Sequence, residues 1–211
     1  MKWTLTQLVR SPVLLGVLLL WGLLSQEVNA AQSPLEVIRM TTMQALAVLK
    51  DPAYQGTADR QARIKKMWEV ILPSFDEREI SQRALGLYWR GRTKEQRAHF
   101  THLFIQLVKN SYSSTLDRYT EGAKFFFDKE HIDDDYAEVY TRIQTPAEPD
   151  SFHVVYRLHR VGGQWLVYDV VAENVSLVRN YRNQFYRIIN RSSFDRLMEI
   201  LKDKLKELEG S

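Results

Sequence analysis

The sequence predicts an α+β fold in which a four-stranded antiparallel sheet is combined with about six helices. Two changes in the period of the apolar residues carry this prediction. Before Gly122 and after Ser176, apolar residues recur at steps of three and four, which is typical of helices buried on one face. Between residues 124 and 173 they alternate with polar residues, which is typical of strands.

Two amphipathic helices open the folded part of the chain. Ser33 can cap the first helix, and Pro34 suits its first turn because that position needs no backbone N–H. Asp51 ends this helix. The second helix covers residues 58–72 and stops at Pro73, because proline disfavours a helical residue before it.

Two further helices precede the strands. Asp76 can cap a short helix that runs to about Leu87. Thr93 and Gln96 form a capping box that opens the longest helix, which runs to about Tyr119. The apolar positions on one face of this helix are Phe100, Leu103, Phe104, Leu107, Val108, Tyr112, Leu116 and Tyr119.

Four segments show the period of a strand. They are residues 124–130, 136–144, 152–160 and 164–173. Gly162 and Gly163 suit a two-residue hairpin turn between the last two strands, and this turn fixes their register. The predicted pairs are Leu158 with Val167, Tyr156 with Asp169, and Val154 with Val171.

Two helices close the chain. Ser176 can cap the first, to about Asn190, and Ser192 with Asp195 opens the second, which ends near Leu208. The basic residues of the first closing helix form either a solvated face or a contact for lipid phosphates or an acidic partner. They are Arg179, Arg182, Arg187 and Arg191.

Residues 1–30 differ in kind from the rest of the chain. Lys2 and Arg10 give a basic start, residues 13–24 form an uninterrupted apolar run, and small residues precede a cleavage point after Ala30. A helix over that run would rise roughly 18 Å, whereas the hydrocarbon core of a bilayer is roughly 30 Å thick. We therefore expect residues 1–30 to be a cleaved signal peptide and residues 31–211 to be a single soluble, exported domain.

Composition excludes several classes of function. The sequence contains no cysteine, which removes disulfide frameworks, Cys-based zinc sites, thiol catalysis and a lipidated-cysteine anchor. The net charge of +3 is too small to indicate nucleic acid as a partner. His99 and His102 lack a third metal ligand nearby, which favours a solvated helix face. Because no phosphate-binding or serine-nucleophile motif occurs either, the sequence predicts neither a metal nor another cofactor.

Asp169 is the candidate for acid–base chemistry. The hairpin register puts its carboxylate on the apolar face opposite Tyr156. There it could act as a general base with a raised pKa, or as a structural acid hydrogen-bonded by the tyrosine or by a helix amide. The structural role is favoured, because no second catalytic group accompanies Asp169. We therefore expect no enzymatic activity.

The apolar faces of the sheet and of the long helix also have two interpretations. Their periodicity favours a packed core. A cavity lined by the same residues would give the same pattern, so the residues alone leave both interpretations open.

A set of short motifs follows in order along the chain. The first half contains Ile71-Leu72-Pro73 with Phe75-Asp76, residues 85–90 (LGLYWR), Thr93 with residues 95–97 (EQR), and Phe100, Phe104 and Tyr112. The second half contains residues 165–170 (WLVYDV), which are the most specific, then residues 173–177 (ENVSL) and 181–185 (YRNQF). Together these motifs resemble the MlaC family of periplasmic phospholipid-carrier proteins, also called the toluene-tolerance family. Asn174 departs from the pattern, which has glycine there, and the departure concerns a turn.

The resemblance implies a helix-wrapped, four-stranded sheet with an NTF2-like part. It also implies an apolar cavity between sheet and helices that holds phospholipid acyl chains, with the headgroup near the mouth. The implied function is to shuttle phospholipid between outer and inner membrane and so maintain outer-membrane lipid asymmetry. The implied partners are an outer-membrane lipoprotein–porin complex and an inner-membrane ABC transporter complex carrying an MCE-domain protein.

Three hypotheses for the function follow. The first is a phospholipid carrier, the second is an enzyme on an NTF2-like scaffold that uses Asp169 as a base, and the third is a periplasmic adaptor with a filled core. For the carrier, we expect lipid contacts from the sheet and from the long helix. They are Val139, Val154, Tyr156, Leu158, Val167 and Val171 on the sheet, and Phe100, Phe104 and Leu107 on the helix.

Overall fold

The computed structural model describes residues 32–54, 60–118, 122–146 and 150–209. These ranges contain six α-helices and one antiparallel sheet. The predicted signal peptide, residues 1–30, lies outside the described residues. None of the helices within them combines the length and the apolar composition needed to cross a bilayer.

The order of the elements is helices, then strands, then helices, as predicted. The helices are α1 (Pro34–Lys50), α2 (Arg60–Ile71), α3 (Glu77–Leu85), α4 (Lys94–Arg118), α5 (Leu177–Arg191) and α6 (Phe194–Glu209). The strands are β1 (Lys124–Asp133), β2 (Tyr136–Gln144), β3 (Phe152–Val161), β4 (Gln164–Ala172) and β5 (Val175–Ser176).

Local capping fixes where the helices begin. The Ser33 hydroxyl accepts a hydrogen bond from the Glu36 N–H (3.2 Å) at the start of α1, and the Asp76 carboxylate accepts one from the Glu79 N–H (2.9 Å) at the start of α3. Both contacts satisfy backbone donors that have no partner within the helix.

The third helix ends two residues before the predicted Leu87. Gly86 follows α3 with a φ of +56°, which interrupts the helix, and a short 3₁₀ turn over Gly86–Tyr88 comes next. A Cβ atom at Gly86 would also lie 2.3 Å from the Tyr186 hydroxyl oxygen. Glycine is therefore required here both for its backbone conformation and for its size.

The sheet has five strands in the order β1-β2-β3-β4-β5, so the predicted number of four was wrong. The additional strand β5 is short and pairs with the end of β4. Glu173 and Asn174 connect the two strands in a tight turn, with φ values of 45° and 64°. Asparagine tolerates this left-handed conformation better than most residues, so Asn174 can stand in a turn where glycine was expected.

The register between β3 and β4 agrees with the prediction only near the hairpin turn. Leu158 pairs with Val167 as predicted. A β-bulge at Tyr168 then shifts the register, so that Asp169 pairs with Arg157, and Tyr156 pairs with Val170. The two predicted pairs beyond the bulge, Tyr156 with Asp169 and Val154 with Val171, were therefore wrong. One extra residue in a strand reverses the faces of those that follow.

A second bulge lies in the edge strand β1. Phe127 pairs with Thr141 and Lys129 pairs with Tyr140, which leaves Asp128 without a partner in the ladder. The Asp128 carboxylate accepts two hydrogen bonds from the Arg142 guanidinium, at 2.7 and 2.8 Å. These bonds hold the pKa of Asp128 below its ordinary value.

The buried apolar residues form two clusters. The helical core lies among α3, α4, α5 and α6, and its members include Phe100, Phe104, Phe185, Phe194 and Leu197. The sheet core lies between α1 and the hairpin end of the sheet, and consists of Ile38, Ala137, Val139, Leu158, Trp165 and Val167. Phe75 packs against both clusters and so links them.

The segment around Phe75 is fixed to the sheet by its backbone. Phe75 forms a parallel bridge with Val167, and the Asp76 N–H donates a hydrogen bond to the Val167 carbonyl oxygen (2.9 Å). His159 Nε2 lies 3.1 Å from Asp76 Oδ2. The start of α3 is therefore anchored to β4 beside the bulge.

Replacing Phe104 by alanine should lower the free energy of unfolding by about 3–5 kcal/mol, because it opens a void in a packed core. The Phe104 ring is fully buried and lies 4.9 Å from the Tyr181 ring and 5.2 Å from the Phe185 ring, between centroids. Urea denaturation of the two proteins measures the difference. The control is Leu87→Ala, which removes a side chain that is 82% exposed and should change stability by less than about 0.5 kcal/mol. Equal effects of the two substitutions would contradict the packing described here.

Candidate functional site

A cavity of about 320 Å³ lies between the inner face of the sheet and the helices. It adjoins the sheet core at one end and extends toward the end of the sheet opposite the β3–β4 hairpin. A site for one water needs only roughly 10–15 Å³, whereas small-molecule sites occupy roughly 300–1,000 Å³. The space is therefore large enough for part of an organic ligand.

Three helices supply most of the cavity's helical wall. The α1 residues follow one another at alternating steps of three and one, which puts them all on one face of the helix. The lining residues are Ile38, Thr41, Thr42, Ala45, Leu46 and Leu49 from α1, Met67, Trp68 and Ile71 from α2, and Ile105, Val108, Lys109 and Tyr112 from α4. Leu72, Ser74, Phe75, Ile80, Leu177 and Val178 complete the helical side.

The sheet wall comes from four strands. Its members are Phe125 from β1, Ile143 from β2, Phe152, Val154 and Tyr156 from β3, and Asp169, Val170 and Ala172 from β4. The three β3 residues alternate as a strand requires. In β4, the bulge at Tyr168 is what turns Val170 and Ala172, rather than Val171, toward the cavity.

Two hydroxyl groups in the wall bond to their own helical segments. Thr42 Oγ1 donates to the Ile38 carbonyl oxygen (2.8 Å), and Ser74 Oγ donates to the Ile71 carbonyl oxygen (2.7 Å). Because their hydrogens are already used, these groups contribute little polarity. The wall as a whole favours an apolar ligand.

Tyr156 brings a further hydroxyl group into the wall. Its ring packs against the sheet core, and its side chain lines the cavity. Burial raises the pKa of the Tyr156 hydroxyl to about 12. Among the described residues, this hydroxyl has no hydrogen-bond partner, so it remains an unused donor within a mainly apolar wall.

Asp169 is buried at the edge of the cavity, with a relative exposure of 5%. Its Oδ2 accepts a hydrogen bond from the Ser176 hydroxyl (2.7 Å), and its Oδ1 accepts one from the Val178 N–H (3.1 Å). Ser176 Oγ in turn accepts a hydrogen bond from the Arg179 N–H (3.0 Å). The carboxylate therefore compensates the positive end of the α5 dipole and satisfies donors of its first turn. Of the two roles considered for Asp169, these contacts agree with hydrogen bonding by a helix amide.

Arg157 lies between Asp169 and a second carboxylate. Its Nη1 is 3.4 Å from Asp169 Oδ2, and its Nε donates a hydrogen bond to Glu138 Oε1 (2.9 Å). A hydrogen bond from Tyr140, together with this one from Arg157, holds the pKa of Glu138 below its ordinary value. Asp169 is thus engaged from the β3 side as well as from α5.

The structure brings two of the nine sequence-predicted lipid contacts to the cavity wall, Val154 and Tyr156. The other seven do not line the cavity. Val139, Leu158 and Val167 belong to the sheet core under α1, while Phe100, Phe104 and Leu107 belong to the helical core. Val171 is half-buried, and the bulge in β4 removes it from the lining.

For five of these residues the reason is their position along their elements. The cavity lies beside the β3–β4 residues that are far from the hairpin, and beside the second half of the long helix. Val139, Leu158 and Val167 lie nearer the hairpin, and Phe100 and Phe104 lie in the first half of α4. An apolar stripe in a sequence does not tell which stretch meets a neighbour and which meets a void.

Sequence reasoning missed the whole contribution of α1 and α2. The stripe of α1 was recognised as apolar, but nothing in it indicated that its second half faces a cavity. The sheet residues Phe125, Ile143 and Phe152 were missed as well, although their alternation gave a signal that could have been used. Val170 and Ala172 could not have been found, since the bulge leaves no mark in the alternation.

Replacing Tyr156 by phenylalanine should reduce the loss of stability at alkaline pH. Below pH 10 the folded and unfolded states both keep the phenolic proton, so Tyr156 has no effect on the pH dependence. Between pH 10 and about 12 the unfolded chain loses it first, so the free energy of unfolding falls with increasing pH. From pH 9 to pH 11, the wild-type protein should lose about 1 kcal/mol more than Tyr156→Phe.

Urea denaturation at both pH values measures this difference. Tyr136→Phe is the control, because the Tyr136 side chain is 49% exposed, and this variant should keep the wild-type pH dependence. If Tyr156→Phe and the wild-type protein lose equal amounts of stability, the burial of the hydroxyl is not as described.

Comparison with known proteins gives a family match over most of the chain. The model of the MlaC family, described as MlaC protein, matches residues 39–203. The chain is 24% identical over 154 residues to the intermembrane phospholipid transport system binding protein MlaC of Haemophilus influenzae, covering 72% of this chain and 68% of that protein. It is 25% identical over 181 residues to the toluene tolerance protein ttg2D of Pseudomonas putida, and this match covers 85% of this chain and 84% of that protein.

A solved structure has the same fold. The phospholipid-binding protein from Ralstonia solanacearum, determined in complex with a phospholipid, superposes with a TM-score of 0.73 at 20% identity. The match covers 84% of this chain and 99% of that chain. The predicted α+β fold class is thereby confirmed, with five strands in place of four.

Proposed function

The chain belongs to the MlaC family, and on this premise we propose that it is a periplasmic phospholipid carrier that holds acyl chains in the cavity between sheet and helices. The relative named as the binding protein of an intermembrane phospholipid transport system supports this proposal. So does the structural relative that was determined with a phospholipid bound.

The observation that carries the proposal is the cavity itself. It has a volume of about 320 Å³, and its wall consists mainly of aliphatic and aromatic side chains from the sheet and the helices. Such a space is costly to leave empty in a protein core, since the atoms of its wall lose their packing partners. Occupation by hydrocarbon chains compensates for this loss.

The energetics of lipid transfer fit a carrier of this kind. Moving roughly 30 methylene groups from a bilayer into water costs on the order of 24 kcal/mol, at about 0.8 kcal/mol for each group. Unassisted desorption is correspondingly slow. An apolar cavity replaces the bilayer as the environment of those parts of the chains that it encloses, and so lowers this cost.

The location and partners follow from the same proposal. Residues 1–30 act as a cleaved signal peptide, and residues 31–211 form one soluble domain in the periplasm. The carrier shuttles phospholipid between an outer-membrane lipoprotein–porin complex and an inner-membrane ABC transporter complex with an MCE-domain protein, and thereby maintains outer-membrane lipid asymmetry.

We propose Val154 and Tyr156 as direct lipid contacts, together with the other lining residues of the cavity. The remaining seven predicted contacts would meet a lipid only when sheet and helices separate further. The most accessible of these is Val171, which is half-buried, while Phe100, Phe104, Val139, Leu158 and Val167 are fully buried in the two cores.

Two observations favour the carrier over its alternatives. An adaptor with a filled core has no use for an apolar cavity of this size. The contacts of Asp169 account for its burial without catalysis, because its two oxygens accept hydrogen bonds from the Ser176 hydroxyl and from the Val178 N–H.

Phospholipid should co-purify with the protein isolated from the periplasm, and the delipidated protein should take it up from liposomes. Native mass spectrometry and a liposome uptake assay measure the two. Ala45→Trp should abolish most of the loading, because Ala45 lines the cavity and the indole would fill it. Ala172→Trp should act in the same way from the sheet side.

The matched control for these variants is Ala47→Trp, since Ala47 lies on the exposed face of the same helix α1. It should bind lipid like the wild-type protein. Thermal unfolding must first establish that each variant is folded. Absence of phospholipid from the wild-type protein, combined with no uptake from liposomes, would refute the carrier function.

Replacing Asp169 by asparagine separates the carrier from the enzyme. The substitution removes the charge at the N-terminus of α5 and should lower the free energy of unfolding by about 1–3 kcal/mol. A carrier should still bind phospholipid once it is folded. The enzyme hypothesis predicts a different result. If the wild-type protein shows an enzymatic turnover, and Asp169→Asn loses this turnover but keeps its stability, Asp169 acts as a base.

A further inference from the structure

The helix α4 marks one end of the cavity as its mouth. Ile105, Val108, Lys109 and Tyr112 lie on one face and line the cavity in succession. The exposed fraction of the side chains on this face increases along the helix, from 7% at Ile105 to 37% at Tyr112. The helix therefore leaves the interior at its C-terminal end, and the ligand space opens to solvent beside Tyr112.

The sheet agrees with this location. The chain passes from the end of α4 at Arg118 to the start of β1 at Lys124, so these two ends lie near each other. Phe125 and Phe152, which line the cavity near the starts of their strands, belong to this end of the sheet. Tyr156 lies farther along β3, where the cavity meets the sheet core.

Lys109 is a cation in the wall near this mouth. Its side chain is half-buried and lines the cavity, one helical turn before Tyr112. Within the described ranges, no carboxylate lies within ion-pair distance of its Nζ. Other lysines do have such partners, for example Lys66 with Glu69 and Lys204 with Glu207.

Among the lining residues that the structure describes, no charge is free to compensate Lys109. The acidic member of the wall, Asp169, is engaged by Ser176, by the Val178 N–H and by Arg157. A long lysine stem can cover apolar surface while its ammonium group stays near water. Lys109 thus provides a cation at the boundary between the apolar cavity and solvent, which matches a ligand whose anionic group is attached to hydrocarbon chains.

We propose that the Lys109 ammonium group binds the phosphate of the phospholipid at the mouth and so orients the lipid. The acyl chains then extend toward Tyr156, and the headgroup remains beside Tyr112. This inference rests on the proposed carrier function. It adds a specific consequence, namely that the protein distinguishes a phospholipid from an uncharged diacylglycerol with the same chains.

The test compares the affinities of the delipidated protein for a fluorescent phosphatidylglycerol and for a diacylglycerol with the same labelled chains. Lys109→Met should weaken phosphatidylglycerol binding by about fivefold, which is the largest effect usual for a partly exposed ion pair. It should leave diacylglycerol binding unchanged. Lys109→Arg should restore most of the preference. Added salt should weaken phosphatidylglycerol binding in the wild-type protein more than in Lys109→Met.

Lys94→Met is the matched control, because Lys94 is an exposed lysine at the opposite end of the same helix. It removes the same charge from the protein and should leave the ratio of the two affinities at its wild-type value. If Lys94→Met reduces that ratio as much as Lys109→Met does, the effect comes from net charge and the proposed contact is refuted.

Three other outcomes would also overturn the proposal. The first is an unchanged ratio of affinities in Lys109→Met, and the second is an equal loss for both lipids, which would assign Lys109 to packing alone. The third is stabilisation of the lipid-free protein by inorganic phosphate as strong as that by phosphatidylglycerol, which would indicate a site for free anions. If neither lipid binds the wild-type protein, the carrier function itself fails.

Discussion

The carboxylate of Asp169 joins the sheet to the helix that follows it, and the structure around the cavity depends on this junction. A β-bulge at Tyr168 places Asp169 where it accepts hydrogen bonds from Ser176 and from the first turn of α5. Helix α5 is thereby held at the end of the sheet, with Leu177 and Val178 in the cavity wall. Farther along, Phe185 of α5 packs against Phe100 and Phe104, so the same contact also sets the position of the helical core.

The cavity exists because the two cores are separate. One core fills the space between α1 and the hairpin end of the sheet, and the other fills the space among α3, α4, α5 and α6. Phe75 touches both, but none of the side chains in the described ranges fills the region beyond it. The stability of the protein can thus come from the two packed clusters, while the space between sheet and helices stays available for a ligand.

Local signals allowed much of the fold to be predicted from the sequence. Ser33 and Asp76 cap helices where their side chains suggested, and the glycine pair after Val161 forms the expected hairpin turn. The additional strand and the bulge at Tyr168 could not be predicted, because each depends on contacts across the sheet. On the sheet, the cavity lies beside a different stretch from the one that carries most of the predicted contacts. A residue such as Phe104 has the same periodicity whether it faces Phe185 or a void, and only the position of α5 and α6 decides between them.

The bulge in β1 bears on how copies of the chain behave toward one another. An outer strand with unpaired N–H and C=O groups can template the pairing of a second chain. In β1, Asp128 interrupts the ladder and is held by Arg142, and the neighbouring Lys129 adds a charge to the same short stretch. The irregular, charged edge of β1 therefore acts as a safeguard against aggregation.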